Sequence, residues 1–121
     1  MEQLMVRGIR GAITVRENCS AEIIQASQEL IEEMTSTNGV HAEDIAVVLF
    51  SLTPDLNDVF PAEAARKVGW KDVPLFCCKE LDVPGALKRC LRILILVNTR
   101  LKQDEIKHIY LREAKILRED L

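Results

Sequence analysis

The chain is poor in the groups on which most enzyme chemistry is built. Its 121 residues include two histidines, one tryptophan and one tyrosine, and aromatic side chains make up only 4%. The four cysteines, Cys19, Cys77, Cys78 and Cys90, form no C-x-x-C pair and no second pair at zinc-ligand spacing. With only His41 and His108 to add, a metal site made by the protein is not expected. Adjacent Cys77 and Cys78 admit only a strained vicinal disulfide, so buried free thiols and a reducing compartment are expected. No apolar run approaches the ~20 residues of a membrane span, and Met1–Arg7 has no signal-peptide core. Both absences point to a soluble cytoplasmic protein without a membrane partner. A formal charge of −3 and a pI near 5.4 argue against a nucleic-acid partner. An anion site here must be a local cluster of cations.

Hydrophobic residues make up 48% of the sequence, enough for the core of one domain spanning residues 1–121. Residues 5–15 read as a first strand, bent or bulged at Gly8 or Gly11. Ser20 is a plausible N-cap for a helix to about Thr37, stopped by Asn38-Gly39, with Ile23, Ile24, Leu30, Ile31 and Met34 at helical spacing. A second strand spans Ile45–Leu52. Pro61 opens a short helix, Ala62–Val68, that Gly69 closes. Strands follow at Val73–Cys78, at 89–99 and at His108–Leu111, with a helical turn over Gln103–Lys107. Residues 114–121 form a tail with one apolar pair, Ile116-Leu117. The fold class is α/β (α+β): a mixed five-stranded sheet with two helices in a small single domain. Two helices leave much of such a sheet uncovered, so a symmetric homo-oligomer is expected.

One residue stands out in what is present. Arg92 interrupts Cys90-Leu91-Arg92-Ile93-Leu94-Ile95-Leu96-Val97, the most apolar run in the chain. Such runs are usually strands buried on both faces. Arginine cannot shed its proton to escape burial, and an unpaired buried charge costs several kcal/mol. Arg92 therefore either has a carboxylate partner, for which Glu80 is the candidate, or waits for an anionic ligand. Taken singly, Arg92 reads equally as a salt-bridge partner or a ligand site, whereas Arg10 reads first as a solvated strand end, Arg66 and Arg118 as surface charges, and Tyr110 as core or a rim contact. Together, four arginines and one carboxylate suit recognition of a multiply anionic small molecule.

Several linked segments resemble one family in order. Arg7-Gly8-Ile9-Arg10-Gly11-Ala12-Ile13-Thr14-Val15, Ser51-Leu52-Thr53-Pro54-Asp55-Leu56, Val59-Phe60-Pro61-Ala62, Leu87-Lys88-Arg89-Cys90-Leu91-Arg92 and His108-Ile109-Tyr110-Leu111 are similar to the barrel-type monofunctional chorismate mutases. Gly69-Trp70, Val73-Pro74, Cys77, Glu80 and Asp82-Val83 continue the likeness. The resemblance implies a homotrimeric pseudo-α/β barrel with active sites between subunits. It implies an isomerase that converts chorismate to prephenate, the branch step toward phenylalanine and tyrosine, without metal or cofactor. A non-catalytic trimeric sensor of small carboxylates is the alternative reading.

The resemblance also implies roles. Arg92 would face the breaking ether oxygen and Glu80 the ring hydroxyl, as the catalytic pair. Arg10 and Tyr110 would hold one carboxylate, with Cys77 near the same part of the ligand. Phe60 and Arg66 would come from the neighbouring side of the interface, and Ala62 and Cys90 complete the contacts. Leu117 and Arg118 would close over the site as a mobile tail. Strict alternation places Cys77 and Glu80 on opposite faces of their strand, so the strand is expected to end or bulge between them. Glu63 stands where the family pattern suggests a lysine.

Overall fold

A computed structural model describes residues 3–118. Five strands make one sheet: β1 Met5–Thr14, β2 Ile45–Leu52, β3 Leu75–Lys79, β4 Cys90–Thr99 and β5 Ile109–Leu111. Their order is β3-β2-β4-β1-β5. β4 runs antiparallel to both β1 and β2, whereas β1/β5 and β2/β3 are parallel. The sheet is therefore mixed, as expected, and β4 lies at its centre.

Helices α1 (Ser20–Asn38) and α2 (Ala62–Lys67) cover one face. Alternation in β4 sends Leu91, Ile93, Ile95 and Val97 into the core beneath them, together with Ile9 and Ile13 of β1 and Val48 and Phe50 of β2. α1 contributes Ile23, Leu30, Ile31 and Met34 to the same core. Gly11 is where the helix comes closest to the sheet: a Cβ there would overlap Met34 Sδ and stand 3.1 Å from Leu30 Cδ1. The glycine is needed for that approach and not for a bulge, because β1 pairs continuously with β4 from Met5 to Thr14. The irregularity expected in β1 lies instead in β2, between Ile45 and Val47.

Two helix starts differ from expectation. Cys19, not Ser20, holds the N-cap conformation of α1 and offers no side-chain cap. A distant carboxylate does that work: Asp58 Oδ2 accepts from the Ser20 backbone N–H at 2.8 Å and from its hydroxyl at 2.9 Å. It satisfies an orphan N–H and places negative charge at the positive end of the helix. Pro61 is the N-cap of α2 and not its first residue. α1 does stop as the sequence suggests, on Gly39 in the left-handed region at φ 62°.

The opposite sheet face carries Arg92, Leu94 and Leu96 of β4, Leu49 and Ser51 of β2, and Arg10 and Ala12 of β1. Among the described residues, no α-helix covers it. β4 is thus buried on one face only, and Arg92 is half exposed where a fully buried arginine was expected. Only one end of this face is closed. Arg112–Arg118 form a 3-10 turn that seats Ala114 and Leu117 on Ala12, Cys90 and Tyr110. Arg112 anchors the turn through Thr14 O and Glu29, each at 3.0 Å. Of the segment expected as a mobile tail, residues 114–118 belong to this turn, and its last three residues lie outside the described range.

Candidate active site

The structure sorts the expected site residues into two groups. Arg10, Glu80, Cys90, Arg92, Tyr110, Leu117 and Arg118 gather on the open sheet face. Arg10, Ser51, Arg92 and Tyr110 line one cavity of about 270 Å³ there. Phe60, Ala62, Arg66 and Cys77 lie elsewhere, around α2 and the β3 edge. Phe60, 70% exposed, shares a second cavity of about 670 Å³ with Cys77. None of these four borders the Arg92 cavity.

Cys77 falls in the second group for a geometric reason. The β2–β3 pairing runs unbroken from Val48/Leu75 to Leu52/Lys79, and the Glu80 N–H continues it to Leu52 O at 2.8 Å. Of the two expected possibilities, an end or a bulge, the strand takes the first: β3 ends at Lys79 without a bulge, and Glu80 faces Arg92 while Cys77 faces α2. Burial pushes the Cys77 thiol up, partly offset by the Ala62 N–H and the Arg66 charge. Cys90 is also raised by burial, against the pull of Arg92 beside it. Both are therefore neutral thiols at ordinary pH, unsuited to nucleophilic attack. Nor are the cysteines uniformly buried as expected: Cys90 is, Cys19 and Cys77 are partly covered, and Cys78 is exposed.

At the centre, Arg92 Nε lies 3.3 Å from Glu80 Oε2. Arg92 makes no other carboxylate pair among the described residues, and the carboxylate partner for which Glu80 was the candidate is present. Ser51, opposite Arg92 in the β2–β4 register, donates to the same Glu80 oxygen at 2.7 Å. Sequence reasoning passed over Ser51, although it is the only hydroxyl in the run Ile45–Leu52.

Two further supports were also missed. Asp55 accepts from the Arg89 N–H at 2.9 Å and from the Thr53 hydroxyl at 2.5 Å, and Thr53 Oγ1 in turn accepts from the Cys90 N–H at 3.0 Å. Arg89 sits at φ 46°, a costly conformation outside glycine that this network holds in place. The Thr-Pro-Asp turn thereby fixes the start of β4 two residues before Arg92. Across the site, His108 Nδ1 accepts from the Arg10 N–H at 2.9 Å. Burial and the charges of Arg10 and Arg118 hold this imidazole below its usual range. Arg118 lies 6.0 Å from the centre of the Tyr110 ring, so Arg10, Arg92 and Arg118 share one region. In the other group, Glu63, at the position where the family pattern suggests a lysine, pairs with Arg66 at 2.6 Å.

Three arginines, one oriented carboxylate and a buried tyrosine in one region are chemically suited to a compact, multiply anionic small molecule. The comparisons narrow this class. A model of the family "Chorismate mutase type I" matches residues 6–121. The chain is 52% identical over 118 residues to chorismate mutase AroH of Thermus thermophilus, covering 97% of each. It is 45% identical over 119 residues to chorismate mutase AroH of Bacillus subtilis (strain 168), covering 98% of this chain and 94% of that protein. A solved structure of a chorismate mutase from Clostridium thermocellum matches with a TM-score of 0.89 at 45% identity, over 90% of this chain and 97% of that one. The chain belongs to the type I chorismate mutase family.

Proposed function

We propose that this protein is a cytoplasmic, homotrimeric isomerase that rearranges chorismate to prephenate, feeding phenylalanine and tyrosine synthesis. The observation that carries the reading is the Arg92 fork held open on a sheet face beside Glu80, with Arg10 and Tyr110 lining the same cavity. The reaction is unimolecular: the ether C–O bond breaks as a C–C bond forms, so it asks for no nucleophile, metal or obligatory proton transfer. Charge develops on the ether oxygen as the bond stretches. A fixed guanidinium there attracts the transition state more strongly than the bound substrate, which is the condition for raising kcat.

Arg10 and Tyr110 would take one carboxylate, and Glu80 would accept from the ring hydroxyl. Holding the substrate compact, with its reacting carbons in contact, adds an orientation term. Leu117 and Arg118, at the end of the 3-10 turn, border the Tyr110 side and serve as the rim of the site, residues 114–121 acting as its cover.

Trimerisation answers the division of the site residues. The uncovered sheet face presents Leu49, Leu94 and Leu96, and the β3 edge presents exposed Phe76. A neighbouring copy seated there would bury this apolar area and bring its own Phe60, Ala62, Arg66 and Cys77 toward Arg92. The test uses purified protein with chorismate alone. Loss of chorismate absorbance and appearance of prephenate, from a species that sediments as a trimer, is the expected result. Tight chorismate binding without turnover, or full activity in a stable monomer, would sink the reading.

A further inference from the structure

We infer that Ser51 is a positioning residue for Glu80: its hydroxyl ties down one carboxylate oxygen so that the other faces the ring hydroxyl of the substrate. The inference rests on the function proposed above and extends it to a residue outside the expected site.

The two oxygens of Glu80 are held unequally. Oε2 accepts from the Ser51 hydroxyl at 2.7 Å and lies 3.3 Å from Arg92 Nε as an ion pair, contacts from two different strands. Among the described residues, Oε1 receives only the Leu81 N–H, at 3.3 Å. A carboxylate with one oxygen doubly engaged cannot rotate freely, and its less engaged oxygen becomes the acceptor open to a ligand.

The backbone makes this arrangement possible. Ser51 lies opposite Arg92 on one side and Cys78 on the other, and Glu80 is two residues beyond Cys78 on the same face. Hydroxyl, guanidinium and carboxylate thus meet across three adjacent strands, β3, β2 and β4. Glu80 itself follows the end of β3, where its only ladder bond is the one from its N–H to Leu52 O. Beyond Lys79 the strand no longer fixes this side chain, and the Ser51 hydroxyl supplies the missing constraint. Removing it would leave Oε2 with the longer ion-pair contact to Arg92 alone among the described residues. Glu80 could then swing toward Arg92 and occupy the fork that the ether oxygen needs.

The experiment compares wild type, Ser51→Ala, Ser51→Cys and Ser51→Thr with chorismate, after circular dichroism has checked that each folds. Loss of one charge-assisted hydrogen bond predicts a fall in kcat/KM of about tenfold for the Ala and Cys variants. Thr, which restores the hydroxyl and suits a strand, should recover activity to within ~threefold of wild type. In a Glu80→Ala background, Ser51→Ala should cost no further activity, because the carboxylate it positions is gone. Binding of a chorismate analogue that lacks the ring hydroxyl should be the same in wild type and Ser51→Ala. A folded Ser51→Ala protein with wild-type kcat/KM, or equal losses with and without Glu80, overturns the positioning role while leaving the mutase reading intact. Wild-type protein that leaves chorismate unchanged overturns both.

Discussion

Replacing Arg92 with glutamine separates its two readings, because they predict opposite balances of stability and rate. The Arg92 side chain is 48% exposed and that of Glu80 29%, with 3.3 Å between Nε and Oε2. An ion pair this open to solvent contributes about 0–1 kcal/mol. Its removal does not strand Glu80, which keeps the Ser51 hydroxyl. A midpoint shift of no more than about 4 °C is therefore expected in thermal unfolding. The rate should respond far more. Losing a preorganised donor at a site of developing negative charge costs roughly 10²–10³ in kcat, about 2.7–4 kcal/mol. Arg92→Lys keeps the charge but not the planar fork: an ammonium that pairs with Glu80 has no second rigid edge to present. It should remain badly impaired, between glutamine and wild type. The assay is kcat from chorismate absorbance, with sedimentation to check assembly. A glutamine variant with kcat within tenfold of wild type refutes the electrostatic role. A fall of more than ~10 °C with kcat preserved would make Arg92 a structural ion-pair partner instead.

Gly11→Ala should destabilise by about 1–3 kcal/mol, the cost of overpacking a filled core, because its Cβ runs into Met34 and Leu30; the urea midpoint measures this, and an unchanged midpoint would mean that α1 can withdraw freely. His108 should make stability depend on pH. Its folded-state affinity for a proton is lowered, so the unfolded chain binds more protons and stability falls as pH drops through the imidazole range, below about 6.5. Denaturation midpoints between pH 5 and 8 test this, and His108→Asn, which keeps an acceptor for the Arg10 N–H but does not titrate, should flatten the dependence.

Much of the fold was legible because periodicity and punctuation are local. The apolar runs of β2 and β4, the helical spacing from Ile23 to Met34 and the Asn38-Gly39 stop all reflect chain geometry within a few residues. The site was legible as a set of residue types. The order Arg10, Phe60, Arg66, Glu80, Arg92, Tyr110 is a linear pattern, and resemblance can read it. What stayed hidden depends on partners far apart in sequence. Asp58 caps α1 from 38 residues away, Met34 dictates that residue 11 be glycine, and Thr53 and Asp55 brace Arg89 and Cys90. No local signal marks such pairs.

By itself, then, the sequence determined a mixed five-stranded domain and placed a guanidinium in the most apolar strand. It also set the alternation that puts Cys77 and Glu80 on opposite faces, with an end or a bulge expected between them, and β3 does end at Lys79. The tertiary structure decided what that alternation means. With the β2–β3 ladder free of a bulge, Cys77 goes to α2 and Glu80 to Arg92, and the expected site residues divide between two regions of the chain. It also decided that Arg92 is half exposed and not buried, because helices cover only one face of the sheet. Burial is a property of what packs against a strand, and a strand's own residues do not specify it.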